Sequence, residues 1–120
     1  MKKRTSVVYI PQEATSEKDL SSAAKYGKIH SIIGVYDRPA DNTISALSRL
    51  YESLADFDPK QDYICLAGGD PIVGLLTGVV LERLGIESFK QLYWTRERDE
   101  DGQRTGQGTY LPRTVSIFSN

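Results

Sequence analysis

Apolar residues recur at Ile44, Leu47, Leu50, Tyr51, Leu54 and Phe57. Spacings of three and four put them along one face of an amphipathic helix. Asn42 or Thr43 can cap its start, and Asp58-Pro59 ends it. Elsewhere the apolar runs are short and rich in β-branched and aromatic residues, which predicts strands at residues 6–10, 29–33, 63–67, 89–95 and 110–118. Pro11 stops the first strand, and residues 12–19 are polar and read as loop. Asp19 or Ser21 can cap a short helix through Ala23, Ala24 and Tyr26 that Gly27 ends. Residues 34–42, with Asp37, Pro39 and Asp41, have a loop composition.

The stretch 62–85 organises the rest. Residues 63–67 form an apolar run of the kind a strand covered on both faces shows. Gly68 and Gly69 allow a sharp turn, Asp70 suits the N-cap, and Pro71 suits the first helical position, where its missing N–H is no loss. The helix that follows is apolar on most sides, so it is expected to be largely covered by protein, and Gly85 is placed to end it.

Strand, helix, strand, helix, strand predicts a single α/β domain. Its sheet is mainly parallel, mixed and four- to five-stranded, with two main helices and a C-terminal antiparallel hairpin. Between the last two strands, residues 96–108 carry charges of both signs together with Gly102, Gly106 and Gly108, a composition read as an extended, mobile hairpin loop. Pro112 marks the last strand as bulged or at an edge.

Composition narrows the function classes. A net charge of −1 argues against broad nucleic-acid binding, which needs a concentrated basic face. No apolar run approaches the roughly 20 residues that span a bilayer. One cysteine permits no internal disulfide and suits a reducing cytoplasm.

Several residues form a familiar set: Asp19-Leu-Ser with Ala23-Ala-Lys-Tyr-Gly27, Leu54-Ala-Asp-Phe57, Asp62-Tyr63, Gly69-Asp-Pro71, Leu92-Tyr-Trp94 and Tyr110-Leu-Pro112. Their order resembles small uncharacterised proteins of tailed bacteriophages, with a pattern like D-Y-x-x-x-x-G-D-P before an apolar helix and a Trp-bearing strand after it. That resemblance implies a viral origin, hence the host cytoplasm, and no particular activity. It also implies a tight hairpin where this chain has residues 96–108. Locally, Leu66-Ala-Gly-Gly-Asp-Pro71 is similar to the turn by which tetrapyrrole methylases help to hold S-adenosylmethionine.

Candidate chemistry is sparse. Gly68, Gly69 and Asp70 lie where ligands of open α/β sheets bind, but Asp70 puts a carboxylate where a phosphate would sit. Asp70 as a plain helix cap is the competing account. Gly74 and Gly78 share a helix face that something should approach closely, either a neighbouring element of the same chain or, in a homo-oligomer, a partner helix. Cys65 falls in a buried strand, His30 is the sole histidine, and neither a catalytic triad nor a metal-ligand set nor a cofactor site can be assembled from them. Tyr93 and Trp94 alternate on one strand, so one should be core and the other outward. With Arg96, Arg98 and Arg104 of the hairpin they make a candidate interaction surface for a host or phage protein, and Tyr36, Tyr51 and Tyr110 could extend it.

Overall fold

Alternate residues of the first strand, β1 (Val7–Gln12), enter different cores. Tyr9 packs with Ile64, Leu50, Leu54, Val73 and Val80 on one face of the sheet. Val8 and Ile10 pack with Ala23, Cys65, Leu92 and Tyr110 on the other. This two-sided burial is what a central strand of an α/β sheet requires. The computed structural model describes residues 4–13 and 20–117. After β1 come α1 (Ser21–Ala24), β2 (Lys28–Ile33), α2 (Thr43–Leu54), β3 (Tyr63–Cys65), α3 (Pro71–Arg83), β4 (Ser88–Arg98) and β5 (Arg104–Ser116), with a 3-10 turn at Pro39–Asp41 before α2. Among the described residues these strands form one five-stranded sheet in the order β2-β1-β3-β4-β5. The first three pairings are parallel, and the β4–β5 hairpin is antiparallel. The chain is thus a single α/β domain with a mixed sheet, as the pattern predicts. Residues of α2 and α3 supply the first core, and Ala23 of α1 joins the second.

Local signals explain the element ends. Asn42 Oδ1 accepts the Ser45 N–H at 3.0 Å and so caps α2. At the end of α3, Gly85 N–H donates to Glu82 O and Ile86 N–H to Leu81 O, both at 3.0 Å, the paired bonds of a Schellman stop. The fully buried Asp62 ties three segments together just before β3. Its carboxylate accepts from both guanidinium nitrogens of Arg4, from Val7 N at 2.9 Å and from Asp58 N at 2.8 Å.

Five expectations need correction. β1 does not stop at Pro11 but runs through it to Gln12. Val7 N–H points to the β3 side, towards Asp62, so strand alternation points the ring nitrogen of Pro11 the same way. The β1–β3 ladder is already over at Tyr9↔Ile64, so no donor is missed there. Second, β3 is shorter than the apolar run 63–67, because the chain leaves the sheet after Cys65. Third, α3 is not covered all round: Leu75 is 68% exposed, and a Cβ on Gly78 would meet nothing within 4 Å. Among the described residues the neighbour of such a Cβ on Gly74 is Leu66 Cδ1 at 3.7 Å, and no described element makes the expected close approach. Fourth, the hairpin loop is not residues 96–108. The strands continue to Arg98 and resume at Arg104, because cross-strand pairing outlasts the apolar pattern on a ribbon that faces solvent. Finally, neither Tyr93 nor Trp94 is core; Tyr93 is half-buried and Trp94 is exposed. Asp19 as a helix cap and Phe118 as a strand end lie outside the described residues.

Candidate functional site

Two regions hold the residues singled out from sequence. The first is the turn between β3 and α3. Gly69 has φ +90°, and a Cβ there would fall on the Gln12 side chain, 2.8 Å from its own Cβ, so only glycine fits. A small cleft of about 210 Å³ opens beside the turn, lined by Gln12, Leu66, residues 68–71, Val73 and Gly74.

The donors at the start of α3 that face this cleft are occupied. Asp70 N–H donates to Gln12 Oε1 at 2.7 Å, Ile72 N–H to Asp70 Oδ1 at 3.0 Å, and Val73 N–H to Asp70 O at 2.9 Å. Pro71 has none to give. Asp70 therefore acts as the N-cap of α3, and its own N–H and those of the first helical turn are already taken.

Gln12 itself is a residue that the sequence did not flag. Its amide nitrogen donates to Gly34 O at 3.2 Å and Asp37 O at 3.3 Å, so one side chain joins the loops that follow β1, β2 and β3. Beside it, Asp37 accepts from Gly34 N at 2.9 Å and from Arg49 at 3.3 Å, which holds its carboxyl below the usual carboxylate range. A single glutamine between a proline and a charged loop carries no sequence signal for this role.

Cys65 is fully buried, and burial pushes its thiol up to about 11, only partly offset by a hydrogen bond with Tyr110. A thiol so protonated is a poor nucleophile. His30 lies on the exposed part of β2, edge-on to Tyr9 with ring centroids 5.7 Å apart. Among the described residues no three His, Cys, Asp or Glu side chains gather as a metal site would need. Nor, among them, is any helix long and apolar enough to cross a membrane.

The second region is the β4–β5 hairpin. β3 pairs with β4 only from Tyr63↔Lys90 to Cys65↔Leu92, whereas β5 stays paired with β4 out to Arg98↔Arg104. From Tyr93 onward the hairpin is therefore a two-stranded arm. Its turn is tied by Asp99, whose Oδ1 accepts from Asp101 N at 3.0 Å and Gln103 N at 2.9 Å, and by Arg98 Nη1, which donates to Gly102 O at 2.7 Å.

Trp94 is 40% exposed and lies across Gly108, with its ring edge-to-face against Tyr110 at 5.0 Å. Tyr93, on the opposite face, carries the Arg113 guanidinium 4.7 Å above its ring. Arg96, Arg98 and Arg104 are all exposed on the arm. The structure thus brings Tyr93, Trp94 and the three arginines onto one ribbon, where the buried Tyr110 packs against Trp94, and leaves apart Tyr36, which is 94% exposed after β2.

A family described as phage Pam3 gp32-like protein matches residues 6–103. The chain belongs to the phage Pam3 gp32-like protein family. It is a small phage protein, as the resemblance implies. The match runs from β1 through the turn of the hairpin and stops before β5. The family match does not single out the D-Y-x-x-x-x-G-D-P pattern, and this chain has five residues, not four, between Tyr63 and Gly69. No curated protein and no solved structure matches the chain.

Proposed function

We propose that this phage protein is a non-enzymatic binding protein, acting in the host cytoplasm on a host or viral macromolecule through its β4–β5 arm. The observation that carries the reading is the arm itself, a hydrogen-bonded ribbon that outruns its sheet and presents Tyr93, Trp94, Arg96, Arg98 and Arg104. A rigid element with exposed aromatic and arginine side chains has the composition of binding hot spots. The test shortens the arm, joining Thr95 to Thr109 through an Asn-Gly turn, since these two residues are a cross-strand pair. The shortened protein is expected to unfold at nearly the same temperature and to lose the partner that the full chain captures from infected-host lysate. Undiminished capture overturns the reading.

A second reading rests on the cleft beside Gly68, Gly69 and Asp70, which could take a nucleotide-like or S-adenosylmethionine-like molecule. Occupied donors at the start of α3 weigh against it. Thermal unfolding against such ligands decides the matter: at about 100 times its dissociation constant a ligand adds about 2.7 kcal/mol, a shift of several degrees.

A further inference from the structure

The two long edges of the β4–β5 arm differ. On the outer edge of β5, Tyr110 N–H donates to Ser22 Oγ at 3.0 Å, and Tyr110 O accepts from the Tyr26 hydroxyl at 3.3 Å. Two residues on, Pro112 has no N–H to offer. Nearer the tip the register jumps from Arg96↔Gly108 to Arg98↔Arg104, a bulge that places the extra residues on β5. A covering helix, a proline and a bulge are the means by which proteins keep an edge strand from accepting another strand.

Among the described residues the edge of β4 has none of these. Because the Tyr110 N–H turns away from β4, the pair Trp94↔Tyr110 is a non-hydrogen-bonded pair. The two-residue repeat then turns the main-chain N–H and C=O of both Trp94 and Arg96 outward, on the side that β3 occupies lower down. β3 ends its pairing at Cys65↔Leu92, so these outward groups have no strand neighbour among the described residues. Residues 94–98 contain neither proline nor glycine.

Side chains say what could fill the slot. Trp94, Arg96 and Arg98 alternate along β4 and so share a face. Among the described residues Arg96 and Arg104 make no salt bridge. A second copy added antiparallel at this edge would set arginine opposite arginine, which is unfavourable. Nucleic acid would meet Asp99, Glu100 and Asp101 at the tip. An extended peptide that carries carboxylates on the face of Arg96 and Arg98 and ends short of Asp99 meets neither obstacle.

We propose that the open edge of β4 from Trp94 to Arg98 receives an extended acidic segment of a protein partner, which adds as a strand where β3 has ended. This rests on the reading of the arm as the binding element, and it adds the partner's chemistry and mode.

The test uses the full chain, labelled for amide NMR, and three synthetic probes: a short peptide of alternating valine and glutamate, its valine–lysine counterpart, and the valine–glutamate peptide N-methylated on its backbone. The first is expected to shift Trp94 and Arg96 amides saturably and to slow hydrogen exchange at Arg96, with the other two silent. Arg96→Ala removes the charge alone, whereas Arg96→Pro also removes an outward N–H that pairing with Gly108 does not use. The proline variant should bind about tenfold more weakly than the alanine variant, the worth of one ladder hydrogen bond. If the proline variant fails to fold, the N-methylated probe tests the same hydrogen bonding on unaltered protein. Equal binding of the N-methylated probe or no response at Trp94 and Arg96 overturns strand addition, and a stronger lysine probe overturns the acidic partner. The arm reading stands or falls separately, on the shortened-arm capture.

Discussion

Gln12 Oε1 accepts the Asp70 main-chain N–H at 2.7 Å, and so joins the end of β1 to the cap of α3. Gln12 is 4% exposed, and its amide nitrogen gives its donors to Gly34 O and Asp37 O. Three loops at the carboxyl end of the sheet therefore depend on one amide. In many open α/β sheets that end is the ligand site; here the Gln12 amide and the Asp70 N–H are taken up in joining the loops.

Gln12→Leu keeps much of the volume and removes both functions of the amide. It should cost about 1–3 kcal/mol, the penalty for a buried polar group left unsatisfied. Gln12→Glu keeps the acceptor for Asp70 but sets a carboxylate against two carbonyls, so its pKa should rise in the folded state. The sign follows: the variant should be nearest to wild type at acidic pH and lose stability as pH rises to neutral. Urea unfolding at the two pH values checks this, and a pH-independent deficit would contradict it.

Alkaline stability should report on Cys65. Its folded pKa is raised to about 11 from an ordinary value of 9.0, so the stabilisation of the neutral thiol is fully present below about 9 and is lost as pH rises to about 11. The slope from one such group is at most about 1.4 kcal/mol per pH unit. Tyr9 is also raised, chiefly by burial, and adds to the decline at still higher pH. Cys65→Ala should begin less stable and show a shallower fall between pH 9 and 11. The native thiol should also resist alkylation by iodoacetamide near neutral pH and react fully in denaturant.

Gly78→Ala tests the outer face of α3. Since a Cβ there meets open space, the helix should gain about 0.5–1 kcal/mol from the lost flexibility of the unfolded chain. Thermal unfolding reads the gain. Light scattering across concentration on the same variant reads self-association through Gly74 and Gly78, which the added methyl would weaken if a second copy packs there.

Where local rules decide the structure, the sequence was legible. Asn42 and Asp70 cap the helices they precede, Gly85 ends α3, and the period of three and four from Thr43 marks α2. It was not legible where a distant partner decides. Pro11 is tolerated inside β1 only because β3 is short, and no residue near Pro11 says so. The apolar circumference of α3 promised cover that the tertiary arrangement leaves off at Leu75. The arm lacks the strict alternation of a half-buried strand, because beyond the Trp94↔Tyr110 pair it has no core to face. Its residues were singled out by type, and their place on a paired ribbon came only from the register.

Gly108→Ala should disturb the arm most directly. The added Cβ would fall on the Trp94 ring and 2.7 Å from Thr95 O, so the indole must leave its seat between Gly108 and Tyr110. Overpacking of this kind costs about 1–3 kcal/mol in a core and less on an exposed ribbon that can flex. The displaced indole would be more hydrated, so its emission should shift to longer wavelength, and with a single tryptophan in the chain the signal is unambiguous. If Trp94 is the apolar contact for a strand added to β4, the same variant should weaken the valine–glutamate peptide while Arg96 keeps its charge. An unshifted emission spectrum would mean that the ring does not rest on Gly108 in solution.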